Sequence, residues 1–139
     1  MVELVVTPTA IQAGDAAPVA RNGGPPDAMV DISIIHGNDQ VGTSYTLALT
    51  DAAHFVTMTN AAANTLTIPT NASVPFPVET VIMVGAGGAG TTKIVAPTGG
   101  TLNDVTDGSG DISGQWATVM LRKIGTDAWQ AWGSIGTVA

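Results

Sequence analysis

Charge is what this chain has least of. Asp, Glu, Lys and Arg make up 11% of its 139 residues, where an ordinary globular domain carries roughly 25%. Only four residues are basic, Arg21, Lys93, Arg122 and Lys123, and beyond one dipeptide they form no cluster. A phosphate backbone or an anionic membrane is held by a basic patch, so neither nucleic acid nor membrane is an expected partner. Cysteine is absent, which excludes disulfides, thiolate metal sites and Cys nucleophiles. Aromatic residues reach 4%, so the core has to rest on Val, Ile, Leu, Met and Ala. No window approaches the roughly 18 apolar residues of a transmembrane helix. The opening residues, MVELVVTPTA, lack the basic start and long apolar run of a secretory signal. Synthesis in a cytoplasm is expected, with any exit by a route other than Sec.

What is present is apolar without being membrane-like. The hydrophobic fraction is 45% and the net charge −7, with a mean hydropathy of +0.31 and a pI near 4.2. The remaining polarity comes mostly from Thr, Ser, Asn and Gly. Such a surface protects a lone monomer poorly against association, so neighbours are expected to cover much of it. The length suits one domain of ordinary size with a modest core.

The sequence divides near residue 43. Residues 1–42 open on a β-type run, Val2-Glu3-Leu4-Val5-Val6, followed by a stretch to Asp31 rich in Pro and Gly. A connection this long without a strand or helix period is unusual inside a compact domain and reads as an extended arm that takes its order from a partner. Ile32-Ser33-Ile34-Ile35 reads as a short strand, ended by a turn at His36-Gly37-Asn38-Asp39. From residue 43 to 139 the pattern is short strands separated by turn signals. YTLALT (45–50), HFVTMT (54–59), NTLTIP (64–69), ETVIMV (79–84), TTKIVA (91–96) and TLNDV (101–105) come in order. A loop, TDGSGDISG (106–114), follows, and WATVMLRK (116–123) with DAWQAWG (127–133) makes a closing hairpin through Ile124-Gly125-Thr126. Period-two alternation and β-branched enrichment predict an all-β fold, a compact sandwich or barrel-like domain with an extended N-terminal arm. No clean internal repeat stands out.

Several motifs invite chemistry. GAGGAG (85–90) satisfies G-x-G-x-x-G after a predicted strand, and Asp107 lies 20 residues beyond Gly87, as a dinucleotide fingerprint asks. That fingerprint also needs a helix to begin at its last glycines, and TTKIVAP is β-branched and stopped by Pro97. A flexible hairpin loop is the better reading. His54 with Asp51 and Ser44 suggests a triad, but spacing alone supplies no hydrogen-bonded constellation, and a structural histidine is expected, as for His36. Asp104, Asp107 and Asp111 resemble calcium-ligand spacing without the closing Glu, and read as a solvated acidic loop. Asn71-Ala72-Ser73 is a formal sequon, without meaning unless secreted. No metal, cofactor or catalytic residue is expected. Trp129 and Trp132 are three apart, so on a strand they face opposite ways. One belongs to the core. The other is half exposed, as a subunit contact or, less favoured, a sugar platform.

One ordered set of pieces carries more. Tyr45-Thr46-Leu47 leads to Asp51, then come Ala63-Asn64-Thr65-Leu66-Thr67-Ile68-Pro69, Asn71, Ser73-Val74 and Phe76-Pro77. Thr80-Val81-Ile82, Gly88-Ala89-Gly90 and Gly114-Gln115-Trp116-Ala117 follow, then Leu121, Lys123, Gly125-Thr126-Asp127 and Trp129. In order and spacing this set resembles a small β-rich module of tailed-bacteriophage virion proteins, found in head-decoration and fibre-type proteins. The resemblance covers about two thirds of the chain and leaves out residues 1–42.

The resemblance implies a virion structural protein with no catalytic residues to carry over. The expectation is a capsid decoration (cement) protein that binds the outer head surface at capsomer junctions and stabilises it. The small chain with its own initiating Met suits that role better than a long tail fibre. Its partner would be the major capsid protein, reached through the arm residues Val2, Leu4, Val5, Val6, Ile32, Ile34 and Ile35. It would act as a homo-oligomer, a trimer being favoured, with Trp129 or Trp132 at a subunit or glycan contact. The alternative is a tail-fibre or head-fibre module that binds a receptor glycan through an exposed Trp and the 103–111 loop. An enzyme has no supporting constellation.

Overall fold

The computed structural model describes residues 35–139, and they are almost entirely strands and turns. The strands are β1 (Gly37–Gln40), β2 (Ser44–Thr46), β3 (Phe55–Met58), β4 (Asn64–Thr67), β5 (Val81–Ala86) and β6 (Thr92–Val95), then β7 (Thr101–Leu102), β8 (Val105–Thr106), β9 (Ser109–Asp111), β10 (Thr118–Gly125) and β11 (Ala128–Gly133). A single 3-10 turn, Leu49–Asp51, is the one helical element among the described residues. None of them forms a helix long and apolar enough to cross a membrane. The expected all-β class is observed.

The strands form a seven-stranded sheet, ordered β1-β3-β5-β10-β11-β7-β8, and a four-stranded sheet, ordered β2-β4-β6-β9. Their logic is a stack of rungs. Each of the first three strands of the large sheet turns a corner into a strand of the small one. The rungs then lie on each other in parallel, β1 on β3 on β5 and β2 on β4 on β6. Parallel neighbours need a long crossover. Here the crossover is the other sheet's strand plus a return segment, not a helix. β10 then runs antiparallel along β5, β11 folds back on β10, and β9 runs antiparallel along β6. The C-terminal residues close the free side of β9, with Ser109 and Ala139 exchanging backbone hydrogen bonds at 3.0 Å.

Side chains alternate as the strand period dictates. Val56, Met58, Ile82, Val84, Val119, Leu121 and Trp129 of the large sheet point inward, and Leu66 and Ile94 of the small sheet join them in one buried cluster. Burying an aliphatic or aromatic side chain of this kind stabilises by about 1.5–3 kcal/mol. On the first described rung the inward positions are polar. Asn38 takes the register place of Val56 and Gln40 that of Met58. Asn38 Nδ2 donates to Asp51 Oδ1 at 2.7 Å and to Tyr45 Oη at 2.9 Å, and Tyr45 Oη donates to Asp51 Oδ2 at 2.8 Å. Asp51 is buried, and its Oδ2 also accepts from Ala48 N at 2.8 Å. This network closes the stack where no further rung follows among the described residues, as polar caps close other repeat folds.

Four sequence expectations are corrected. Gly37–Gln40 is a strand, not a turn, because β3 offers it a parallel edge. YTLALT keeps strand geometry only to Thr46, since the Asp51 carboxylate draws Ala48 N into a turn. The 106–114 loop contains β9, held on β6. The closing hairpin turns through Thr126-Asp127, with a bulge between Lys123 and Gly125 and Asp127 at φ 54, a left-handed conformation that Asp tolerates.

GAGGAG is not a hairpin loop but the corner from β5 to β6, pressed on the corner of the rung before. A Cβ at Gly88 would lie 2.2 Å from Asn60 O, and one at Gly90 1.9 Å from Ala62 O. Gly87 N and Gly88 N both donate to Met58 O, and Gly90 N to Asn60 O. No helix follows, so the amides serve the neighbouring rung. Gly88→Ala and Gly90→Ala should each lower unfolding free energy by about 1–3 kcal/mol through overpacking. Gly114→Ala, where a Cβ meets nothing within 4 Å, should change it by less than about 0.5 kcal/mol. Urea unfolding monitored by tryptophan fluorescence measures all three.

Candidate interaction surface

The outward face of the large sheet carries one continuous row of large apolar side chains. Register places Phe55 opposite Met83, Met83 opposite Met120 and Met120 opposite Trp132. One row across β3, β5, β10 and β11 therefore reads aromatic, Met, Met, aromatic. Phe55, Met83 and Met120 are half-buried, while Trp132 is 53% exposed. The next row is Thr57, Gly85 and Thr118. Gly85 leaves room for the Phe55 ring, whose Cε1 lies 2.7 Å from where a Cβ would stand.

A shallow hollow opens over Gly85, between Phe55, Thr57, Thr118 and Trp116. Trp116 is 76% exposed, the most exposed aromatic among the described residues. Its backbone sits at φ 71, held by its N–H to Ala86 O at 2.7 Å. A bulky side chain there costs on the order of 1–3 kcal/mol. The fold thus holds an indole in water at some expense. Charge is confined to the margin. Arg122 Nε and Nη2 meet Glu79 Oε1 and Oε2 at 2.8 and 3.1 Å, and this fork lowers the Glu79 pKa. Asp39 lies on the outer strand, opposite Thr57.

Of the tryptophan pair, Trp129 belongs to the core, 1% exposed and edge-on to Phe76 at 5.6 Å. Trp132, and not Trp129, is the exposed one of the pair. Trp116 was not singled out as the exposed one, because only its left-handed backbone turns it out of the strand pattern. Of the arm residues, Ile35 is exposed, and Val2, Leu4, Val5, Val6, Ile32 and Ile34 lie outside the described residues.

The residues that suggested chemistry are occupied otherwise. Asp51 serves Asn38, Tyr45 and Ala48, while His54 Nδ1 bonds Thr50 O and its ring meets His36 edge-on at 5.2 Å. His54 meets Asp51 only through its backbone N, which donates to Asp51 O at 3.0 Å, and no side-chain hydrogen bond joins His54 to Ser44 or Asp51. Asp107 Oδ1 accepts from Gly99 N at 2.6 Å, and Asp111 pairs with Lys93 at 3.0 Å. Among the described residues no three His, Asp or Glu side chains converge as a metal site.

Lys123 is the unexpected member of the core. Its Nζ donates to Phe76 O at 2.7 Å and to Asn71 Oδ1, and Asn71 N donates to Asp127 Oδ1. This one ammonium ties β10 to the proline-rich 69–77 return, which has no ladder of its own.

Compared with known proteins, the chain matches no protein-family model and no curated protein.

Lys123→Ala should cost about 3 kcal/mol, since it removes hydrogen bonds to a charged donor and leaves Phe76 O buried without that partner. Lys123→Met, which keeps the stem, should cost less. Tyr45 gives a pH signature. Burial first, then the hydrogen bond to Asp51, raise its pKa above 10.0. A raised folded-state pKa contributes stability below the unfolded value and loses it as pH climbs through the folded one. Stability should therefore fall above about pH 10, and Tyr45→Phe should remove that part of the alkaline slope in a pH series of unfolding midpoints.

Proposed function

We propose that this chain is a structural protein of a tailed-phage virion, a decoration (cement) protein that binds the outer head surface at capsomer junctions and stabilises it. In this reading the two sheets are the layers of a compact sandwich, and the residues before β1 are an arm that contacts the major capsid protein through positions 2–6 and 32–35. The protein catalyses no reaction, and its work is to cover seams with apolar and main-chain contacts. A trimer would match threefold or quasi-threefold junctions.

The observation that supports this most is the outward row of Phe55, Met83, Met120 and Trp132, with Trp116 beside it, on a chain of 11% charge. Core patches of protein interfaces are rich in aromatics and Met and poor in charge. The resemblance set adds that Asn71, Phe76, Lys123, Asp127 and Trp129, spread along the sequence, meet in one cluster.

One observation favours the fibre alternative. Asn103 clamps Ala131, donating to its O at 3.2 Å and accepting from its N at 2.8 Å. Exposed Trp132 is thereby set next to the 103–111 loop, an arrangement suited to a glycan.

Copy number in purified virions, by quantitative mass spectrometry against the major capsid protein, separates the two. Hundreds of copies at a fixed ratio are expected for decoration. A few dozen or fewer would move the protein to a fibre, where Trp132→Ala should abolish glycan-dependent adsorption. Absence from virions would overturn both.

A further inference from the structure

The row across the large sheet is chemically symmetric about its middle. In strand order it reads Phe55, Met83, Met120, Trp132, and its midpoint falls between β5 and β10. We propose that a second copy of this chain docks face to face on this surface, about a twofold axis running parallel to the strands through that midpoint. Such an axis reverses the row. Trp132 of each copy then comes over Phe55 of the other, and Met83 over Met120.

An isologous contact requires a surface complementary to itself, and this row supplies it without further adjustment. The row spans three strand spacings, roughly 14 Å, and sheets packed face to face interdigitate at about 10 Å. The two methionines at the centre are unbranched and fill irregular gaps. Beside them, the hollow over Gly85, walled by Trp116, borders Phe55, over which the incoming Trp132 arrives.

Charge agrees with a second copy as the occupant. Each chain carries −7, so two copies repel through most surfaces. Among the described residues the one charged pair on this face, Arg122 with Glu79, is already matched at 2.8 Å, and the axis sends the two Asp39 residues to opposite ends of the contact. A partner recruited by charge would go to the carboxylates elsewhere, such as Asp104 and Asp107. The inference concerns the copy number of the free protein and stands apart from the virion proposal. Where it departs from that proposal is symmetry, because a pair suits twofold junctions.

Sedimentation equilibrium of the purified full chain is the test, with an expected mass near twice 13.9 kDa. Trp132→Gln should weaken the pair at least about 30-fold, with an unchanged unfolding midpoint showing that the fold is intact. Because the chain has no Cys, Met83→Cys and Met120→Cys can be placed in separate preparations. On mixing and oxidation they should crosslink to each other better than either does to itself. A monomer at 100-fold the detection limit, a trimeric mass, or a pair indifferent to Trp132→Gln would overturn the proposal. The first of these would leave the face to a capsid subunit or a glycan. The virion proposal fails by a different reading, absence from particles.

Discussion

Everything in the described residues depends on one spacing. Rungs that pair in parallel must lie about 4.8 Å apart along their whole path, corners included. Strands meet that condition through their ladders, but a corner has no ladder and must be thin enough for the next one to sit on it. Gly88 and Gly90 supply that thinness, since any Cβ would enter the carbonyls of Asn60 and Ala62. The buried pair at the same level, Thr92 Oγ1 to Asn64 Oδ1 at 2.8 Å, locks the small-sheet side in register. With both corners seated, β5 is delivered to the centre of the large sheet, β10 and β11 can fold along it, and the outer row comes into line.

A stack also has to end, and each end uses different chemistry. At the first rung, polar Asn38 and Gln40 replace the inward apolar residues, and Asp51 ties them to Tyr45. Half-buried there, Asn38 and Gln40 would cost their desolvation if they were left unpaired. Beyond the last rung the antiparallel hairpin and the 134–139 segment take over, and Lys123 reaches the Pro75-Phe76-Pro77 return that no strand can pair with. The ladder is continuous only because these loops borrow hydrogen bonds from single side chains.

The sequence was legible where alternation decides and silent where partners do. HFVTMT, NTLTIP, TTKIVA and the closing hairpin all show period two and all are strands. β1 and β9, with Gly-Asn-Asp-Gln and Ser-Gly-Asp, have no pattern of their own. They are strands because a neighbour offers an edge. The rung repeat was legible in principle and missed. Phe55 pairs with Met83 and Asn64 with Thr92, a common step of 28 residues. At that step Val56 meets Val84, Ala61 meets Ala89, Leu66 meets Ile94, and Pro69-Thr70 meets Pro97-Thr98. Two copies are few for a repeat to show, and the glycines that thin the third corner erase its likeness to Asn60-Ala61-Ala62. The same glycines produced the resemblance to a nucleotide fingerprint, which shows that a backbone close approach leaves one signature whether the approaching group is a phosphate or a carbonyl.

The outer row could not be read from alternation, because Phe55, Met83, Met120 and Trp132 come from strands that look ordinary one at a time. Their alignment is a property of register, and register follows from corner lengths. What composition did carry was the consequence. A chain with so little charge has few ways to keep a sheet face wet. The described basic residues are all committed, Lys93 to Asp111, Arg122 to Glu79 and Lys123 to the interior. The acids gather on the turns around β7 to β9. Apart from Asp39 and Arg122 at its margins, the outer side of the large sheet is left with Thr, Gln, Met and aromatic side chains, the composition that the proposed docking calls for. Under the proposed docking, the strain of holding Trp116 at a positive φ is offset when a neighbour, and not solvent, meets the ring.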